Sequence, residues 1–444
     1  MYKIKIFALT SIFYISFFYN ALSLEIVRDV ELENFTKKIV TSLVKDSGID
    51  ADEINYYFIK SNEINAFVTS GNNIFINTEL LISANDYREY TAVLAHELAH
   101  ILGGHIFRTK QEIDNLSSRA FPIYVLGILG ILGGASETGL ATLMVGSASV
   151  QDGFTYYSRT QEASADQAAI KLLCENKIDA RYLLEFFDKL NLAIPYSLDK
   201  TSYRSTHPTI SERTTWVESA IQDQYNKCQY NKNENLQKEF LLLKAKLFGF
   251  SHSSDETKAV YKTDKDIDKY ARAVANYFTG DHDASINLLE QLITSNPSNP
   301  FFRELIAEIY FSKHNYELAI KNQEISIKLL DEENDLYYMM IGNYYLANTN
   351  HSDHFGSIKY LRKSLRLNPK NTYSWYLLAK AYAEIGNVPL AEYATAERYY
   401  LTGNYEMSLQ FAMKSLKNIE KNSTEWYRAN DLLNIISNMQ SQDS

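Results

Sequence analysis

The sequence predicts a mostly helical α+β protein in two parts: an N-terminal domain with a small sheet and a C-terminal stack of helical hairpins. Two observations predict it. Apolar residues recur at helical spacing through residues 85–102, after a short strand-like run at residues 74–77. From about residue 265 onward, helical segments repeat with a period of about 35 residues, as in stacked helical repeats. A chain of 444 residues with 45% hydrophobic composition can give each part its own core.

The N-terminus has the features of a secretory signal peptide. Lys3 and Lys5 precede an apolar run from residue 6 to residue 19, and the small residues Ala21 and Ser23 follow. We expect residues 1–23 to be removed, so that the mature chain starts at Leu24. A retained membrane anchor is the alternative, although the run is shorter than the ~20 residues that a membrane span requires.

The run His96-Glu97-Leu98-Ala99-His100 is the most informative motif of the chain. On a helix capped by Asn85 or Asp86, His96 and His100 lie on one face, so both imidazoles can bind one zinc ion. Glu97 then lies beside the metal, where it can accept a proton from the attacking water as general base. The motif therefore predicts a catalytic zinc site.

A catalytic zinc needs a third protein ligand, and an acidic helix downstream offers one. Glu162 and Asp166 are four residues apart in an alanine-rich segment, so both carboxylates share one helix face. We expect Glu162 to bind the metal and Asp166 to hydrogen-bond the outer nitrogen of a ligand histidine. Taken alone, the segment is better interpreted as an ordinary helix with two solvated acids, but the zinc motif upstream favours the metal site.

These motifs, in this order, resemble a zinc metallopeptidase family that includes HtpX and the CAAX prenyl endopeptidases. The resemblance covers residues 25–225 and includes four elements: Asn65-Ala66-Phe67 with the strand at residues 74–77, the zinc helix, Arg159 to Asp166, and Ser205-Thr206-His207-Pro208 with Arg213. The C-terminal repeats resemble those of its periplasmic, BepA-type branch. Asn77 departs from the family pattern, because it stands where that pattern has an apolar residue.

The resemblance implies a zincin-like peptidase domain over residues 24–230, with one zinc ion per chain. It implies that His96, His100 and Glu162 are the ligands and that Glu97 is the general base. It also implies an active-site role for His207, as a catalytic group or as a displaceable fourth ligand. From the residues alone, His207 beside Pro208 is equally well interpreted as a surface histidine in a turn. Arg213 is expected beside a ligand, not on the metal.

We also expect the strand Ile74, Phe75, Ile76 and Asn77 to hold substrate along its edge by backbone pairing. His105 is a weaker candidate for a residue that contacts a ligand. It lies nine residues after His96, on the opposite side of an ideal helix, and approaches the site only if Gly103-Gly104 bends the chain.

The apolar, glycine-rich stretch at residues 121–150 is unusual. Its most apolar part, residues 121–134, is too short to span a membrane. A helical hairpin buried beside the site is favoured; an apolar lid, or a peripheral contact with a membrane surface or a partner, is the alternative.

The chain has two cysteines, Cys174 and Cys228. In an oxidising compartment they can pair, tying the Glu162 helix to the end of the peptidase domain. Two separate thiols remain the alternative.

Residues 231–264 read as a linker with one helix, and residues 265–444 as an α-solenoid of tetratricopeptide repeats. The segment Trp375 to Tyr382 fits the first helix of such a repeat, and Asn296-Pro297 and Asn368-Pro369 lie two periods apart. Stacked repeats present a concave binding face, and the 33 tyrosines supply aromatic anchors for it.

The net charge of the chain limits the classes of partner that it can bind. The net charge is −10, from 54 acidic and 44 basic residues, which argues against a nucleic-acid partner. By resemblance, the expected partners are misfolded or stalled outer-membrane proteins and the barrel-assembly machinery.

The sequence thus predicts a secreted, periplasmic zinc endopeptidase in envelope quality control. The alternative is a repeat-based chaperone or assembly scaffold for outer-membrane proteins whose peptidase site is largely latent.

Overall fold

The computed structural model describes residues 25–69, 71–104, 159–192, 207, 210–224, 228–348 and 353–442. The predicted signal peptide, His105 and the stretch at residues 121–150 lie outside these residues. In the part that is described, no helix is both long and apolar enough to cross a membrane.

A four-stranded sheet forms one layer of the N-terminal domain. Its strands are β1 (Glu25–Val27), β2 (Asn55–Lys60), β3 (Ala66–Thr69) and β4 (Asn73–Asn77), in the order β1-β2-β4-β3. β4 pairs parallel with β2 and antiparallel with β3, while β1 pairs antiparallel with β2. All five residues of β4 are buried, as expected for a strand paired on both sides.

The prediction that Ile74–Asn77 is an edge strand is therefore wrong. Gly71 and Asn72 have φ angles of 86° and 56°, and this tight turn folds β3 back onto one side of β4. β2 occupies the other side. Among the described residues, the open edge next to β4 belongs to β3.

Helices pack against this sheet and build one continuous core. They are α1 (Val30–Val44), α2 (Thr78–Ser83), α3 (Tyr87–Leu102), α4 (Arg159–Glu175), α5 (Arg181–Leu192) and α6 (Ile210–Gln224). Leu32 and Phe35 of α1, Ile74 of β4 and Phe187 of α5 belong to this core. Cys174 and Cys228 form a disulfide with a Cα–Cα distance of 5.4 Å. It ties the end of α4 to the segment between α6 and the helix that starts at Glu234.

The segment predicted as a linker contains α7 (Glu234–Ser251) and α8 (Ser254–Val260). α7 is packed on two sides. Phe240 and Leu243 join the core of the N-terminal domain, whereas Leu242 joins the core of the repeats. A Cβ atom at Gly249 would lie 2.5 Å from the carbonyl oxygen of Ala271, so the glycine permits close helix packing. α7 is thus a shared structural element between the two parts.

The C-terminal part consists of successive helical hairpins. Its helices are α9 (Asp266–Phe278), α10 (His282–Ser295), α11 (Pro300–Ser312), α12 (Tyr316–Leu329), α13 (Asp335–Ala347), α14 (His354–Leu367), α15 (Thr372–Glu384), α16 (Val388–Leu401), α17 (Tyr405–Asn418) and α18 (Thr424–Gln442). The side chains of Asp281, Asn315, Asn387 and Asn404 cap α10, α12, α16 and α17 through the backbone N–H three residues on. The prediction of a mostly helical α+β chain with a small sheet and a repeat solenoid is confirmed.

Candidate metal centre

α3 carries three residues of the site. The Asp86 side chain accepts a hydrogen bond from the Arg88 N–H and starts the helix, and the helix ends before Gly103. One helical turn separates His96 from His100, and their Nε2 atoms lie 3.1 Å apart. Both rings are fully buried, so their nitrogens face each other in a site shielded from bulk water.

α4 crosses α3 and brings two carboxylates to these histidines. The Glu162 Oε2 atom lies 3.5 Å from His96 Nε2, and its Oε1 atom lies 3.4 Å from His100 Nε2. The Asp166 Oδ1 atom lies 2.9 Å from the other nitrogen of His96, Nδ1. Glu162 therefore faces the metal-binding nitrogens, whereas Asp166 holds the His96 ring from behind.

His207 completes the group from the segment before α6. Its Nδ1 atom lies 2.9 Å from Glu162 Oε1, and its Nε2 atom lies 3.4 Å from Glu97 Oε1. One ligand atom each from His96, His100, Glu162 and His207 lies within 4.8 Å of the others, and all four side chains are buried.

Arg213 of α6 joins the two carboxylates. Its Nε and Nη2 atoms donate to Asp166 at 2.9 and 2.7 Å, and its Nη1 atom lies 2.7 Å from Glu162 Oε2. The guanidinium also lies 4.6 Å from the centre of the Phe187 ring. Since Arg213 is only 4% exposed, it is a buried cation that ties α6 to α4.

The charges around the site keep the carboxylates ionised. Burial alone would raise the pKa of Glu162, but His207 and Arg213 hold it well below its ordinary value. Burial opposes ionisation of Asp166 in the same way, and Arg213 and His96 lower its pKa. Two ionised carboxylates in a dry site favour a bound cation.

Burial sets the direction of the pKa shift for Glu97 and His100, but not for His96. Burial raises the pKa of Glu97 and lowers that of His100 well below its ordinary value. For His96, burial and Arg213 act to lower the pKa, but hydrogen bonds that the ring donates to Asp166 and Glu162 outweigh them and raise it to about 9. Neither carboxylate oxygen of Glu97 makes a hydrogen bond within the described residues, although both are buried.

The donor set fits zinc. Two imidazoles and one carboxylate, with a third imidazole in reach, match the nitrogen and oxygen ligands that zinc prefers. The hydrogen bond that His96 Nδ1 donates to Asp166 leaves Nε2 of that ring facing the group. Burying the Glu97 carboxylate without a hydrogen bond from the described residues costs free energy of folding, unless a water or a cation lies beside it.

The candidate residues thus divide into two sets. His96, Glu97, His100, Glu162, His207, Asp166 and Arg213 come together, whereas Ile74–Asn77 lies inside the sheet and His105 lies outside the described residues. Sequence reasoning missed Phe187 beneath Arg213, because an aromatic residue on an amphipathic helix reads as core. It also missed the open edge of β3, which packs beside α3.

The chain is similar to known peptidases and to repeat proteins. Residues 9–221 match peptidase family M48, and residues 270–323 and 360–397 match tetratricopeptide repeat families. The beta-barrel assembly-enhancing protease of Yersinia pestis is 23% identical over 418 residues, covering 91% of this chain and 83% of that protein. That of Escherichia coli strain K12 is 23% identical over 420 residues with the same coverage. The metalloprotease LoiP of Escherichia coli strain K12 is 29% identical over 171 residues, covering 38% of this chain and 64% of LoiP.

Proposed function

We propose that this chain, which carries an M48 peptidase domain followed by tetratricopeptide repeats, is a zinc-dependent endopeptidase. The observation that carries the proposal is the buried group of His96, His100 and Glu162. The carboxylate of Glu97 lies beside it and has no hydrogen-bond partner in the part of the chain that the structure describes. Such a carboxylate, next to a metal-ligand group, is suited to move a proton rather than to stabilise the fold.

The roles of the side chains follow from their positions. His96, His100 and Glu162 would hold zinc, which when bound supplies a Lewis acid that lowers the pKa of water and polarises the scissile carbonyl. Glu97 accepts the proton of the attacking water at its carboxylate and donates it to the leaving amine. Burial raises the pKa of Glu97, which brings it closer to the neutral range that such a proton carrier needs.

The open edge of β3 is the proposed substrate-binding strand, in place of β4. The backbone N–H of Asn77 donates to the carbonyl of Asn65, so residues 65, 67 and 69 face β4. The N–H and C=O groups of Ala66 and Val68 therefore point to the other side. An extended substrate can add there as a further strand beside α3, which positions a peptide bond without reading its side chains.

The relatives named beta-barrel assembly-enhancing proteases guide the biological proposal. We propose a periplasmic location after removal of a signal peptide, and misfolded or stalled outer-membrane proteins as substrates. The repeats would hold these clients or dock on the assembly machinery, and no nucleic acid is involved.

Degradation of an unfolded outer-membrane protein tests this function. We expect wild-type protein to cleave it, chelator to stop cleavage, and added zinc to restore it. Glu97→Gln should be inactive under all three conditions. Cleavage that survives chelator and is unchanged in Glu97→Gln would contradict the proposed chemistry.

A second candidate function rests on His207. As a fourth ligand, its imidazole would close the coordination position that a catalytic zinc leaves open. The chain would then act mainly as a chaperone or scaffold with a latent site. His207→Ala should raise the cleavage rate if the imidazole closes the site, and lower it with zinc retained if the imidazole assists catalysis.

A further inference from the structure

The start of α1 packs against the repeats. Val30 is only 5% exposed and packs against Leu336 and Tyr337 of α13, with Phe301 of α11 close by. The Arg28 Nη2 atom lies 3.4 Å from Asp335 Oδ1 at the start of α13. The first turn of a peptidase-domain helix thus places one apolar and one cationic side chain on the solenoid.

A buried ionic group surrounds this contact. The Lys246 Nζ atom of α7 lies 2.5 Å from Asp29 Oδ2, 3.4 Å from Glu31 Oε2 and 3.8 Å from Glu304 Oε2 of α11. The Tyr270 hydroxyl of α9 donates to Glu31 Oε2 at 2.8 Å. The group therefore joins α1 and α7 to two successive hairpins of the repeats.

The repeat residues in these contacts share one surface. α9, α11 and α13 are the first helices of three successive hairpins, and together they form what we call the first-helix face. In a stacked solenoid, equivalent helices line one continuous face, and such faces bind extended or helical segments of partners. In this chain, residues Arg28 to Glu31 of the N-terminal domain cover part of that face, and α7 packs against α9 beside them.

We propose that the first turn of α1 is an internal ligand of the repeats, and that a partner segment of the same chemistry displaces it. That chemistry is an apolar side chain flanked by carboxylates and preceded by an arginine. Release would uncover the first-helix face while α7, which is packed into both cores, keeps the two parts joined. The inference rests on the proposed role of the repeats in holding partners.

The ionic part of this contact adds little net free energy of folding, which favours release. Lys246 and its three carboxylate partners lose most of their hydration, so their attraction is largely offset by the cost of burial. Polar interfaces of this kind between domains of one chain commonly allow relative motion. The tethered segment nevertheless has a high effective concentration, which keeps the face covered until a competitor is present.

Binding of a synthetic peptide tests the proposal in the full chain. The probe is a fluorescent peptide of residues 25–44, which carries the first turn of α1. We expect it to bind Val30→Asp with a Kd at least about tenfold lower than wild type, because the tethered copy no longer covers the face. A peptide with lysine in place of Asp29 and Glu31 is the matched control and should bind neither protein.

Arg28→Glu is the second variant, because its side chain is 42% exposed and its replacement leaves the cores intact. It should loosen the contact by repelling Asp335, with a gain in peptide binding in the same direction but smaller than that of Val30→Asp, because a partly exposed ion pair contributes less than a buried apolar contact. Equal peptide binding to wild type and both variants, or no binding to either variant, would overturn the proposal. Because no cleavage is measured, failure of the proposed peptidase activity would leave this result unaffected.

Discussion

Replacing Arg213 with methionine should damage both folding and metal binding. Arg213 is 4% exposed and makes three close contacts with carboxylates, two to Asp166 and one to Glu162. Methionine keeps much of the packing against Phe187 but leaves two buried carboxylates without their cation. Removing one partner of a buried pair costs about 3–5 kcal/mol, so we expect the metal-free protein to lose that much of its free energy of unfolding.

The same change should weaken zinc binding by roughly 10–100-fold, because Arg213 fixes the ligand Glu162 and the partner of His96. Chemical denaturation with and without zinc measures the first effect, and competition with a chelator measures the second. The matched control is Arg181→Met, whose side chain is 57% exposed although its partner Asp179 is only 9% exposed. Because this guanidinium is solvated, we expect a loss of about 1 kcal/mol, smaller than that of Arg213→Met. If Arg213→Met behaved like Arg181→Met in both assays, the assignment of Arg213 as the cation that holds the site together would be wrong.

Three further outcomes are expected. Asp166→Asn keeps its shape but loses its charge, so its zinc affinity should fall roughly 10–100-fold in chelator competition, and an unchanged affinity would argue against its hold on His96. Gly249→Val should lower the free energy of unfolding by at least ~1–3 kcal/mol, because a side chain there meets the Ala271 carbonyl; a neutral result in thermal unfolding would mean that α7 and α9 separate easily. Burial raises the pKa of Glu31 to about 7 and also raises that of Glu304, and a raised carboxyl pKa gives stability at low pH that is lost as pH rises through the folded value. The free energy of unfolding should therefore fall as the pH rises to about 7 in wild type, and it should fall less in Glu31→Gln. Equal slopes in the two proteins would contradict this account. The groups that face the two glutamates are Asp29, Lys246, Tyr270 and Glu308.

The site could be predicted from the sequence where helical spacing alone brings its side chains together. His96, Glu97 and His100 lie within one turn, so the motif itself specifies which side chains meet. Glu162 and Asp166 also share a helix face, but their approach to α3 depends on tertiary packing. Taken alone, the two residues are better interpreted as a solvated pair of acids, and it is the zinc motif upstream, together with the resemblance, that links them to the histidines.

The sheet was less predictable, because strand order is set by turns and long-range pairing rather than by composition. An apolar run such as β4 is compatible with a central strand or with a one-sided edge. The turn at Gly71-Asn72 decides between them by placing β3 against β4. In the same way, the polar residues of α7 suggested a linker, and only the contacts of Phe240 and Leu242 reveal a helix shared by two cores.

The central claim is that two buried glutamates divide the work, Glu162 holding the metal and Glu97 moving the proton. Zinc content per chain, measured together with cleavage in Glu97→Gln and Glu162→Gln, tests it most directly. The account predicts that both variants are inactive, that Glu97→Gln retains one zinc ion per chain, and that Glu162→Gln loses most of its zinc. Full zinc occupancy in Glu162→Gln, or loss of zinc in a folded Glu97→Gln, would contradict it.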